Sequence, residues 1–266
     1  MSTDTERAQP PEQQERPSKR TLLEGLRERF EKRGRVKAPG GPSEVIGYLG
    51  IRKAIGYVGL ALPVILVLGD WVFDGDQGLF SGPFIRSSIS AYYYSGFRGV
   101  FVGCLFIIGV FLLCYKYRKL DDCMGNIACV SAIGLAMFPT APDNVAPTWL
   151  AGHLHHIFAS IFLVTVTLIC LFIFTLSNPD PKTVDNRTQR KKTRNIVYYS
   201  CGGIMAIALA IAVINGLFQF GPPDTLFLCE TAAVWAFGFA WIVKGEVLLK
   251  DIETHEQEAA TADPPA

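Results

Sequence analysis

Residues 161–176 read IFLVTVTLICLFIFTL, sixteen positions without one charged side chain. A helix that faces water carries one apolar stripe and a charged opposite face, whereas this stretch is apolar all round. VGCLFIIGVFLLCYKY at 102–117 repeats the pattern for most of its length. Cutting the 266 residues at charged and proline-rich stretches leaves six apolar segments, at 54–72, 98–115, 123–139, 153–176, 196–218 and 226–243. A hydrocarbon core about 30 Å thick needs about 20 residues of helix, and every segment falls in or close to that range. Half of the chain is hydrophobic and 18% is charged, against about 25% charged in an ordinary soluble domain. The prediction is an all-α, polytopic membrane protein built as a six-helix transmembrane bundle. A soluble bundle of hydrophobic helices is disfavoured because its surface would be poorly solvated.

The net charge of +1 becomes informative once it is mapped onto the segments. Of 25 Lys and Arg residues, 23 lie before the first segment, between the second and third, between the fourth and fifth, or at and after the end of the sixth. Only Arg86 and Arg98 fall on the other side. Cytoplasmic loops carry the Lys/Arg excess, so both termini are expected in the cytoplasm of a cell-membrane protein. MSTDTERAQP has no basic stretch followed by an apolar one, so no cleaved signal peptide is expected.

Residues 1–20, with Pro10, Pro11 and Pro17 and no apolar period, read as a disordered cytoplasmic tail. Residues 21–50 form a juxtamembrane segment. Within it TLLEGLRERFEKR at 21–33 puts Leu22, Leu23, Leu26 and Phe30 on one face, with Thr21 and Glu24 at capping-box spacing. Such a basic amphipathic helix suits an anionic leaflet. The transmembrane domain covers 51–248, and 249–266 is an acidic, alanine-rich tail. Pro63 is expected to kink the first span. The seven cysteines lie in or at the spans without a CxxC pair, and read as small packing residues. Asn186 opens an N-x-T acceptor sequence, but in a basic, inward loop it is expected to go unused.

The polar candidates gather toward the outer ends of the spans. Asp70 closes the first. The loop after it supplies Asp74, Asp76, Arg86, Ser87, Ser88, Ser90, Tyr92, Tyr93, Tyr94 and Arg98; Asp143, Asn144, His153, His155 and His156 follow the third span, and Glu230 lies about one turn into the sixth. No span centre carries an ionisable group other than cysteine, which weighs against a proton- or ion-coupled transporter. Successive helical residues turn by about 100°, so His153 and His156 share a face while His155 points elsewhere. Two readings of these histidines follow. They can cap a helix start at the headgroup level, or His153 and His156 can hold a zinc ion with Glu230, with Asp70 or Asp143 as a further oxygen ligand or as base. Sensing of pH is a third. The three tyrosines suit an aromatic belt.

SISAYYYSGFRGVFVG, MGNIACVSAIGLAMFPT, HLHHIFASIF and ETAAVWAFGFAWIVKGE together resemble a six-helix bacterial membrane protein family of unknown function. More distantly, a serine-bearing outer loop, Arg98 at helix two, a His-led helix four and Glu230 in helix six are similar to the damage-regulated autophagy modulator family. The ceramidase and adiponectin-receptor superfamily, which places Ser, Asp and His around zinc in seven helices to hydrolyse lipid amides, is a third comparison. This chain departs from it in helix count and in carrying Glu230 where that group has an HxxxH pair. The expected function is therefore an outer-leaflet pocket of Arg98, Ser90, Tyr94, His153, His156 and Glu230 that binds lipid or another amphiphile. A zinc-dependent lipid hydrolase and a transporter are the alternatives. Membrane lipids are the expected partners, with no nucleic acid.

Overall fold

The structure, a computed structural model, describes residues 42–73, 84–115, 119–141, 150–176, 189–218 and 221–248. The expected tails, the amphipathic segment 21–33, Asp74, Asp76, Asp143, Asn144 and Asn186 lie outside these residues.

Among the described residues there are six long helices: α1 Pro42–Phe73, α2 Arg98–Cys114, α3 Lys119–Met137, α4 Leu150–Leu168, α5 Gln189–Phe218 and α6 Thr225–Lys244. Five are long and apolar enough to cross a membrane; α2, equally apolar, has 17 residues, about 25 Å of helix. Their outward faces carry large apolar side chains, with Val130 and Ile196 each 64% exposed and Ile207 62%. A soluble protein rarely presents such surface in contiguous patches, and lipid accommodates it. The chain is thus a multi-pass helical protein of membrane-embedded character.

Two helices outrun the apolar segments that announced them. α1 begins at Pro42 rather than near 54, and α5 at Gln189 rather than 196. Apolarity marks where a helix can meet lipid, whereas backbone hydrogen bonding continues until a breaker or cap stops it. Pro42 stands at the first helical position, where a missing N–H leaves no bond unmade. At the far end of α4 the pattern changes to one π-helical turn, Ile169–Ile173, in which the Phe174 N–H reaches back to the Ile169 carbonyl at 3.0 Å.

Consecutive helices pack side by side, and α6 closes the ring against α1. That closing contact depends on missing side chains. A methyl group on Gly238 would lie 2.9 Å from both the carbonyl oxygen of Gly56 and the nitrogen of Leu60. On Gly59 it would come within 3.3 Å of the Gly238 Cα. Small residues let backbones approach this closely, the usual basis of helix association in lipid. Pro63 lies inside α1 and deprives the Gly59 carbonyl of its helical donor. One residue on, the Trp235 indole N–H of α6 donates to the Leu60 carbonyl at 3.2 Å. The interior is filled by Leu62, Leu66, Phe101, Leu105, Ala132, Val166, Met205 and Phe237.

Because the helices alternate in direction, the described chain starts and finishes at one end of the bundle. There Arg52 of α1 meets Lys244 of α6. This is the basic end. The opposite end, where α1 stops and α6 begins, is closed by residues 84–97 and is called the loop end below.

Candidate functional site

The loop end is held by carboxylates from the two helices that close the ring. Asp70, buried in the last turns of α1, receives Arg86 in a two-pronged ion pair, with Nε to Oδ2 at 2.6 Å and Nη2 to Oδ1 at 3.0 Å. Planar guanidinium suits this arrangement, which fixes direction as well as charge. The same guanidinium lies 5.7 Å from the ring centre of Tyr92, a fully buried residue. Burial pushes the Tyr92 phenol above the ordinary tyrosine range, so it remains a neutral hydrogen-bonding group.

Ser88 then turns the chain into a single 3-10 turn, Ser90–Tyr94, its hydroxyl accepting the Ala91 N–H at 2.9 Å. The opening N–H groups of such a turn have no partner within it. Glu230 supplies one from α6: its Oε2 accepts the Ile89 N–H at 2.6 Å, and the Ser90 N–H turns to the same carboxylate. A second tie runs from the Phe227 N–H to the Ser87 carbonyl at 3.1 Å. Glu230 therefore caps a loop turn from another helix.

Beyond this support a chain of contacts follows the edge of the bundle. The Arg98 guanidinium lies over Tyr93, 4.1 Å from its ring centre, and its Nη2 donates to the Tyr93 hydroxyl. Tyr93 meets Tyr94 edge to face at 5.4 Å, and the Tyr94 hydroxyl donates to the Thr140 carbonyl at 2.5 Å. Two residues earlier, the Phe138 carbonyl takes the His155 Nδ1–H at 2.8 Å, while the Phe138 ring stacks on Phe158 at 5.6 Å. His155 in turn meets His156 edge to face at 5.7 Å. Arg98, Tyr94 and His156 are exposed along this rim.

The six residues expected to form one pocket thus divide. Arg98, Tyr94 and His156 share the rim, and His153 is exposed one turn before His156. Ser90 is buried in the loop turn, and Glu230 is behind it with its carboxylate engaged. Among the described residues no three His, Cys, Asp or Glu side chains converge as a set able to hold a metal ion. Asp70, expected as an oxygen ligand or a base, is paired with Arg86; Asp143 lies outside the described residues.

Two residues carry more of the geometry than their sequence context suggested. His155 is the buried histidine, because its place on α4 faces the end of α3, and the rotation that pairs His153 with His156 turns both outward. Arg86 is the partner of Asp70 across 16 positions. Its signal was visible as one of only two basic residues on its side of the spans, in the loop that follows a carboxylate closing a helix. No family model, curated protein or solved structure matches this chain, so the geometry alone supports a functional reading.

Proposed function

We propose that this chain is an integral membrane protein whose loop-end rim binds the headgroup of a lipid or another amphiphile. The observation that carries this reading is the unbroken contact chain Arg98–Tyr93–Tyr94–Thr140, continued from Phe138 through His155 to His156. It offers a cation, aromatic faces and an imidazole along one exposed edge. Met137 and Ile157, next in sequence to Phe138 and His156, are 58% and 52% exposed and provide apolar surface for an acyl chain. Tyrosine and arginine at the border of an apolar belt are the residues that favour headgroup contact. Glu230, Ser90 and the Asp70–Arg86 pair act as the scaffold that fixes the loop, not as ligand contacts.

The test is lipid extraction and native mass spectrometry of the purified protein, comparing wild type with Arg98→Gln and His156→Ala. A lipid retained by wild type should be released about fivefold more readily from Arg98→Gln, the factor expected for one headgroup-level cation. Identical lipid profiles in all three proteins would remove the rim as the binding site.

A further inference from the structure

The α3 helix carries a side-chain amide on its outward face. Neighbours on both sides fix how this helix is rotated. A methyl group on Gly125 would lie 2.6 Å from the Leu112 carbonyl oxygen of α2, and one on Gly134 would lie 2.5 Å from the Phe158 ring of α4. Contacts this close turn Gly125, Ala128, Ala132 and Leu135 inward. Cys123, Asn126 and Val130 are left exposed on the opposite side, and Ile133 is half-buried beside them. Separations of three, four and three residues set these four side chains along one nearly straight seam.

Hydroxyls in the spans find acceptors within their own helices. Ser131 donates to the Ile127 carbonyl at 2.7 Å, Thr167 to that of Leu163 at 2.7 Å, and Thr175 to that of Leu171 at 2.9 Å. An amide brings two donors and a carbonyl acceptor, more than one back-bond of this kind can satisfy. Among the described residues none bonds to the Asn126 side chain. It stands seven residues past Lys119, about 10 Å along the axis, within a helix long and apolar enough to cross a membrane. An amide that faces hydrocarbon unbonded is costly, and a partner on another helix removes that cost. The amide is also self-complementary: two asparagines related by a two-fold axis exchange an N–H donor for a carbonyl acceptor. A second copy inserted in the same orientation presents the same residue at the same depth, as a two-fold axis along the membrane normal requires. Val130 and Ile133 supply β-branched packing surface beside it, and an asparagine on such a seam fixes register and the number of helices.

We infer that the outward face of α3 is the interface of a homodimer, in which the Asn126 amides of two copies bond across a two-fold axis flanked by Cys123, Val130 and Ile133. The contact ends one turn short of Met137, whose exposed side chain serves the rim at the loop end, so the dimer and the lipid site can each fail without the other.

The experiment uses the full-length protein in liposomes of uncharged lipid at falling protein-to-lipid ratio, with two readouts. A short bismaleimide that joins two thiols should give a cross-linked dimer of wild type. Cys123→Ser should abolish that product, because Cys123 lies one turn from Asn126 on the seam, whereas Cys114→Ser, which removes an exposed thiol of α2, should leave it. Förster transfer between C-terminally labelled pools gives the dissociation constant. Asn126→Leu should raise it about fivefold, the factor for one hydrogen bond between helices in lipid. Asn126→Gln keeps an amide and should retain most of the affinity, and Phe239→Leu, at an exposed apolar position of α6, should leave it unchanged. Leucine at 126 only meets lipid, so an unchanged melting temperature should accompany the loss of dimer. Wild type that stays monomeric at every ratio, a dimer cross-linked through Cys114 and not Cys123, or equal dissociation constants for wild type and Asn126→Leu would overturn the inference.

Discussion

At the loop end Asp70 meets Arg86 at 2.6 Å and Glu230 takes the Ile89 N–H at 2.6 Å. At the basic end Lys244 and Arg52 stand over aromatic rings with Lys191 and Arg194 beside them. Both ends are built on the same two helices, α1 and α6, and both bring charge to partly buried positions. The first pairs each carboxylate with a donor from the loop, so Asp70, Arg86 and Glu230 hold structure while Arg98, Tyr94 and His156 face outward along the rim. The second sets Lys244 and Arg52 over buried aromatic rings, with the carboxylate of Asp121 among its charges. A polar cluster in a membrane protein is thus not a site by virtue of being polar. What matters is whether its members satisfy one another.

That contrast can be broken most forcefully where the two ends are joined. Gly238→Val would drive a side chain against the Gly56 carbonyl and the Leu60 nitrogen, both 2.9 Å from where its Cβ must lie. Overpacking at a backbone contact destabilises by about 3 kcal/mol. Thermal unfolding in detergent should show that loss, together with faster amide exchange in the loop. Retention of wild-type stability and exchange would mean that the ends do not depend on the α1–α6 crossing.

A smaller effect should follow from Asp70→Asn, which leaves Arg86 without its charge partner. Removing one member of a buried pair costs about 3–5 kcal/mol. Arg86 keeps 25% side-chain exposure, so water recovers part of this and about 2 kcal/mol is expected. Replacing both residues, Asp70→Leu with Arg86→Met, should restore most of the loss, because no uncompensated charge remains. Equal melting temperatures for wild type and Asp70→Asn would show that the ion pair does not hold the loop.

The smallest and most local expectation concerns Glu230→Gln. It keeps an oxygen acceptor but loses the charge, which should lower stability by about 1 kcal/mol. Hydrogen exchange should quicken at Ile89 and Ser90 while the basic end keeps its protection. Unchanged exchange at those two amides would detach Glu230 from the loop turn.

How much of this was legible beforehand differs element by element. The apolar stretches at 102–117 and 161–176 announced helices for lipid because no polar face interrupts them. GYVGLALP, at 56–63, contains the two glycines of the α1–α6 crossing, and small residues of this kind suit close helix approach in lipid. Their partner Gly238 was hidden in an aromatic-rich stretch, since nothing in a linear chain says which helix lies opposite. The spacing of His153 and His156 puts them on one helical face, and rotation about α4 turns that face outward and buries His155. Glu230 was singled out as an acid inside a span, and its partner turned out to be the backbone of residues 89 and 90. A backbone N–H has no signature in a sequence, so that contact could not have been anticipated.

The order of residues alone determined that this chain forms helices too apolar for water and that its basic residues crowd one set of their ends. Those properties follow from side-chain solvation and backbone bonding within single segments, which need no neighbour to operate. Only the tertiary structure decided that Arg86 would neutralise Asp70, that Glu230 would cap a loop turn, and that Arg52 and Lys244 would stand over Tyr115, Phe174 and Tyr198. Each of these joins segments distant along the chain, and their meeting depends on how six helices rotate and pack around a common core.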